Sequence, residues 1–147
     1  MRMNLMTWNA NGLKNKIGEV LNIKNAFDII GISETNYKRH YYTNTIKDFN
    51  PIRRDRNDGS GRVGLLLYIR NNIQFSKVEL KIKTPIGVEI IGAKIFRKGI
   101  IIHIFQIYIS PGIALNKITL KQILEEMMIL KNTIIMGDFN AQSASWG

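Results

Sequence analysis

Thr133-Ile134-Ile135-Met136-Gly137-Asp138-Phe139-Asn140-Ala141-Gln142-Ser143-Ala144-Ser145-Trp146-Gly147 is the stretch on which the reading of this 147-residue sequence turns. Its apolar start is too short for a helix and rich in β-branched residues, so it reads as a buried strand. That strand stops at a glycine and then delivers an acid and an amide two residues apart. Three other stretches repeat the design: Leu5-Met6-Thr7-Trp8 runs into Asn9, Asp28-Ile29-Ile30-Gly31-Ile32-Ser33 into Glu34, and residues 100–107 into Tyr108. Open α/β sheets bind ligands where their strands end. The expectation is therefore an α/β fold that gathers Asn9, Glu34, Tyr108, Asp138 and Asn140 at one rim.

Composition narrows the class. A chain of this length with 45% hydrophobic residues can bury a core. It has no run of eighteen apolar residues, so no membrane span is expected, and no apolar leader precedes Asn9 and Asn11, which suggests an intracellular protein. With no cysteine, disulfides and thiolate metal sites are excluded, and any metal must sit on oxygen or imidazole. The net charge of +10 points either to a polyanionic partner, nucleic acid being the commonest, or to a basic surface that serves solubility.

Along the chain, residues 3–9 read as a strand, followed by a helix with Leu13, Ile17, Val20 and Leu21 on one apolar face, then the strand ending at Ser33. Strand, helix, strand suggests a crossover unit. Residues 35–51 read as a surface excursion in which Tyr37, Tyr41 and Tyr42 lie among Lys38, Arg39 and His40. These rings and cations either stack on bases and pair with phosphates or tuck back onto the sheet. Arg53, Arg54, Arg56 and Arg62 flank an Asp58-Gly59 turn, where they either grip a phosphate backbone or keep the loop soluble. Strands at 63–70, 73–82 and 88–96 suggest an antiparallel meander. A helix follows, with Thr119 as N-cap, Gln122 as its capping-box partner, and an apolar stripe of Leu120, Ile123, Leu124, Met127 and Met128.

The residues at the strand ends suit phosphodiester hydrolysis, which needs a cation, a group to handle water and donors for the developing oxyanion. Glu34 is a hard oxygen ligand suited to Mg²⁺, and Asp138 can orient or activate water. Asn9, Asn140 and Tyr108 can donate hydrogen bonds to phosphate oxygens. Taken singly, each has a bland reading as a turn cap or a solvated charge. Other chemistries have less support. His103 lies mid-strand, and the sequence contains neither a nucleophile elbow nor a P-loop nor a dinucleotide fingerprint.

At these residues the sequence resembles the endonuclease/exonuclease/phosphatase superfamily, whose members include deoxyribonuclease I and the apurinic endonucleases. More narrowly it is similar to the endonuclease domain of non-LTR (LINE-type) retrotransposons. The blocks that carry the resemblance are Trp8-Asn9-Ala10-Asn11-Gly12-Leu13, Ile32-Ser33-Glu34-Thr35, Arg54-Asp55-Arg56 with Gly61-Arg62-Val63-Gly64, Ile107-Tyr108-Ile109-Ser110-Pro111, and Gly137-Asp138-Phe139-Asn140-Ala141. Ser145-Trp146-Gly147 is characteristic of the retroelement branch.

The resemblance implies a four-layered α/β sandwich of the deoxyribonuclease I-like type, with residues 1–147 forming its N-terminal part. It implies a metal-dependent endonuclease that nicks DNA with Mg²⁺ (or Mn²⁺) to prime reverse transcription. Glu34 becomes the metal ligand, with Asn11 a second candidate where apurinic endonucleases carry an aspartate. Asn9 and Asn140 become phosphate-site amides, Tyr108 the group that stabilises the transition state, and Asp138 the residue that handles water. DNA is the implied partner, with a reverse transcriptase in the same polyprotein and a nuclear location when acting on DNA. The family's later strands and its Ser-Asp-His segment are absent, so a truncated copy or a fragment of a longer product is expected. Two further readings stand beside this one: a catalytically dead fragment that binds nucleic acid, and a superfamily member acting on a phosphorylated lipid or inositol.

Overall fold

A computed structural model describes residues 2–37, 45–55, 63–113 and 115–141. The strands are β1 (Leu5–Asn9), β2 (Ile29–Ser33), β3 (Phe49–Arg54), β4 (Leu65–Arg70), β5 (Gln74–Val78), β6 (Val88–Arg97), β7 (Ile100–Ile109) and β8 (Thr133–Asp138). Helix α1 (Ile17–Ile23) joins β1 to β2, and α2 (Lys117–Met128) joins β7 to β8.

The strands form two sheets, β1-β2-β4-β3 and β5-β6-β7-β8. Each has one parallel pair at its edge, β1 with β2 and β7 with β8, and each such pair is bridged by a helix. The other neighbours are antiparallel. The crossover read from the first 33 residues is present, and the same construction recurs at β7-α2-β8.

Side-chain alternation explains why the central strands look uniformly apolar. On β4, Leu65, Leu67 and Ile69 face the second sheet and pack with Ile91, Ala93, Ile95 and Ile104, whereas Leu66 and Tyr68 face α1 with Val20, Ile30 and Ile32. On β7, Ile104 and Tyr108 point into the sandwich, and Phe105 and Ile107 pack under Ile123 and Met127 of α2. Both faces of the central strands are thus buried, one by a helix and one by the other sheet, and strands in that setting lose the polar alternation of a half-solvated sheet, whereas β1, β3, β5 and β8 at the sheet edges are only partly covered. The result is four layers in the order helix, sheet, sheet, helix, as expected.

Several expectations need correction. The meander holds only for β5-β6-β7, because the chain changes sheet after β4 and the segment 79–87 leaves the strand early. The surface excursion contains an edge strand, β3, hidden by Pro51. Proline cannot donate to a ladder and is tolerated at sheet edges, where a missing N–H faces solvent. Helix α2 starts earlier than expected: Asn116 is the N-cap, its side chain accepting from the Ile118 N–H, and Thr119 lies within the first turn. Leu21 and Met128 are exposed rather than core, because each helix buries a narrower stripe than the sequence suggested. Tyr37 is also buried, packed with Leu13, Ile46 and Phe49. Its ring has tucked back onto the sheet and does not offer a free face to a base. His103 is buried mid-strand, with Nδ1 2.9 Å from the Lys131 carbonyl, as a core histidine should be.

Candidate active site

Parallel pairing within each sheet sends β1 and β2 out at one end, and β7 and β8 do the same in the other sheet. In register, Asn9 lies beside Ser33 and Tyr108 beside Asp138. The two rows face one another across the sandwich, and the expected residues meet there. Asn9 Nδ2 donates to Glu34 Oε1 (2.9 Å) in its own sheet and to Asp138 Oδ2 (2.8 Å) in the other. Tyr108 donates from its hydroxyl to Glu34 Oε1 at 2.8 Å, also across the seam. Asn140 contributes its backbone N–H to Asp138 Oδ1 (3.0 Å), while its side-chain amide donates to the Ile109 carbonyl (2.7 Å).

Backbone bonds continue the pairing past the strand ends. Ala10, Gly12 and Leu13 donate to the carbonyls of Ser33, Glu34 and Thr35. The Asn11 N–H donates to Asn9 Oδ1 (3.1 Å), which fixes the orientation of the Asn9 amide with both Nδ2 protons aimed at carboxylates. Asn11 thus acts through its backbone, with its side chain exposed. Glu34 itself has φ of +52°, a conformation that costs a non-glycine residue about 1–3 kcal/mol and persists only when the surroundings impose it. Asn11 and Asn140 share the left-handed region, which asparagine tolerates.

Burial, reinforced by the hydrogen bond given to Glu34, pushes the Tyr108 hydroxyl well above the ordinary phenol value, so it stays protonated through the neutral range. Glu34 Oε1 accepts from two donors, whereas Oε2 has no hydrogen-bond partner among the described residues. Mg²⁺ takes one or two protein carboxylates and keeps several waters, so one well-oriented glutamate oxygen with Asp138 nearby fits that ion. Among the described residues no group of three or more histidine, cysteine, aspartate or glutamate side chains is placed to hold a metal ion. An open cleft of about 560 Å³ is lined by Thr7, Trp8, Asn9 and residues 137–141, and so reaches Asn9, Asp138 and Asn140 of the cluster but not Glu34 or Tyr108. A depression of similar size beside Arg54 and residues 78–90 contains none of these five side chains.

The expected nucleic-acid contacts divide. Arg53 is half-buried, with Nε 2.6 Å from Asp55 Oδ1 and its guanidinium over the Tyr37 ring. Arg54 is exposed but anchored by a bond from Nη1 to the Ile90 carbonyl (2.9 Å). It stands in the row Asn9, Ser33, Leu65, Arg54, three strand spacings or about 14 Å from Asn9. Lys38, Arg39, Arg56 and Arg62 lie outside the described residues. Sequence reading missed Glu89, a buried carboxylate opposite Tyr108 in register that accepts the Gly64 N–H at 3.1 Å. The available signal was an acid inside an otherwise apolar strand.

Residues 6–147 match the Endonuclease/Exonuclease/phosphatase family. The chain belongs to that family. Solved structures of the family share this fold. The endonuclease domain of TRAS1, a telomere-specific non-LTR retrotransposon, aligns with a TM-score of 0.67 at 16% identity, over 99% of this chain and 64% of its own. The Neisseria 3′ phosphatase NExo, bound to product DNA hairpin, gives 0.67 at 18% identity over 95% and 58%. Danio rerio TDP2, complexed with single-strand DNA product, gives 0.61 at 13% over 97% and 62%. This endonuclease/exonuclease/phosphatase chain thus spans about three fifths of the length of those structures. A search of curated proteins gives no match.

Proposed function

We propose that the chain carries the phosphodiesterase site of a metal-dependent, DNA-nicking endonuclease of the retrotransposon type. The observation that carries the reading is the Asn9 amide, whose two protons hold Glu34 and Asp138, carboxylates from opposite sheets, in one fixed arrangement. The TRAS1 endonuclease domain, aligned over 99% of the chain, supports the retroelement assignment.

Glu34 is the residue that would hold the ion, through Oε2. A Mg²⁺ or Mn²⁺ ion bound by Glu34 would supply the positive charge that offsets the charge on the phosphate. The remaining work falls to side chains already in place. Asp138 is oriented by Asn9 and by the Asn140 N–H to take a proton from the attacking water. Tyr108, kept protonated, gives its one hydroxyl proton to Glu34 and so fixes the orientation of that carboxylate. Arg54 and the excess positive charge favour a polyanionic backbone over a small phosphate ester.

A second reading is a chain that binds nucleic acid without cutting it. The fact favouring it is that both Asn9 amide protons, the Tyr108 hydroxyl proton and an Asn140 amide proton are committed to protein acceptors. One experiment separates the two: supercoiled-plasmid nicking in Mg²⁺ by the purified chain, by Glu34→Ala and by Asp138→Ala. The endonuclease reading expects nicking that either substitution lowers by about 100-fold or more. Nicking that survives both substitutions sinks the site assignment, and DNA binding without nicking establishes the second reading.

A further inference from the structure

Directly beneath the cluster lies a polar contact that the proposed chemistry does not use. Gln106 on β7 is completely buried between the sheets. Its Nε2 donates to Thr7 Oγ1 on β1 at 3.0 Å, and that hydroxyl lies 3.3 Å from Gln106 Oε1, to which it donates in turn. The space for the amide exists because Gly31 on β2 has no side chain. A Cβ there would fall on the Gln106 carboxamide, with Cδ only 2.7 Å away. A glycine inside a central strand and a buried amide are both poor choices for packing, since an apolar side chain of the same size would fill the sandwich without a polar group to satisfy.

The placement suggests what the pair does. Thr7 pairs with Gly31 in one sheet and Gln106 with Met136 in the other, and two residues further along the same strands come Asn9 with Ser33 and Tyr108 with Asp138. Two residues of strand are about 7 Å, so the Thr7–Gln106 bond is the layer immediately below the candidate site, its Gln106 end buried and its Thr7 end exposed at the wall of the open cleft. Apolar contacts between sheets are non-directional and allow sliding, whereas a hydrogen bond fixes distance and angle. Asn9 to Asp138 and Tyr108 to Glu34 both cross that seam at 2.8 Å, and neither survives a slip of an ångström.

We propose that Gln106 is a positioning residue which, bonded to Thr7 in the space left by Gly31, sets the alignment of the two sheets under the cluster of Asn9, Glu34, Tyr108 and Asp138. The inference rests on the reading of that cluster as the reacting site, but its first measurement does not require turnover. The variants are Gln106→Met and Thr7→Val, near-isosteric apolar replacements made from opposite sheets. The measurement is hydrogen exchange of the Asn9 side-chain amide by ¹⁵N NMR, with the backbone N–H groups of Leu66 and Tyr68 as internal controls.

The expected result is exchange at Asn9 faster by about tenfold in either variant, no additional effect in the double variant, and control amides and melting temperature at or above wild type. In the nicking assay kcat should drop by about tenfold with KM unchanged, the pattern of misplacement rather than lost binding. Unchanged Asn9 exchange in both variants overturns the proposal, as does a melting temperature and control-amide protection that fall together with it. Should Gln106→Met fail to fold, Thr7→Val decides alone. A wild-type chain that does not nick removes the endonuclease reading, while the exchange result still decides the role of Gln106.

Discussion

Asn9 and Tyr108 show how two side chains turn strand ends into a site. The Asn9 amide has one acceptor and two donor protons, and all are committed, to Asn11, Glu34 and Asp138. Tyr108 is fixed by burial and by a charge-assisted bond, and its raised pKa has a measurable consequence for stability. An unfolded tyrosine ionises near pH 10. From about pH 10 upward, the unfolded chain loses a proton that folded Tyr108 retains. The stabilisation is therefore complete below pH 10 and declines above it, by up to about 1.4 kcal/mol per pH unit. Tyr68 is shifted in the same direction, by burial and then by Tyr37, and adds a similar slope. Urea unfolding at pH 9, 10 and 11 should show this decline, and Tyr108→Phe should remove about half of the slope. An identical slope in the variant would show that the hydroxyl is not held as described.

Among the elements, β8 carries the tightest constraint. Gly137 has φ of +145° and sits so close to the Ile107 backbone that a Cβ would overlap the carbonyl. The requirement is both conformational and steric, and it lies one residue before Asp138. Gly137→Ala should lower the unfolding free energy by about 3 kcal/mol or more in urea titrations, well beyond an ordinary surface substitution. An equally stable variant would show that β7 and β8 can separate here at no cost. That glycine was legible in the sequence, as were β1, β2, β7 and β8, because buried strands ending in polar residues are a strong local pattern. Strand β3 was not, since Pro51 and an exposed Asn50 suppress the apolar signal of an edge strand. The change of sheet after β4 was also illegible, for strand spacing does not say which neighbour a strand pairs with. Leu21 was misplaced for a related reason, and the sequence could not choose between the two readings of Tyr37. Burial is decided by what lies opposite, and nothing in the local sequence around Tyr37 names Phe49 or Ile46. Of the site, the five residue types were readable, but the supports were not: Glu89, Gln106 and Thr7 look like polar accidents until the second sheet is seen.

Over the whole molecule, the same β-α-β unit occurs once in each sheet, and the two units contribute one carboxylate apiece. Glu34 and Asp138 belong to different halves, so no single half contains a working pair. The proposed phosphodiesterase activity would therefore be a gauge of tertiary order. Mild denaturant that loosens the sandwich without melting either sheet should silence the reaction first. In a urea series followed by nicking and by far-ultraviolet circular dichroism, the midpoint for nicking should come at the lower concentration; coincident midpoints would mean that the halves never part while each is still folded.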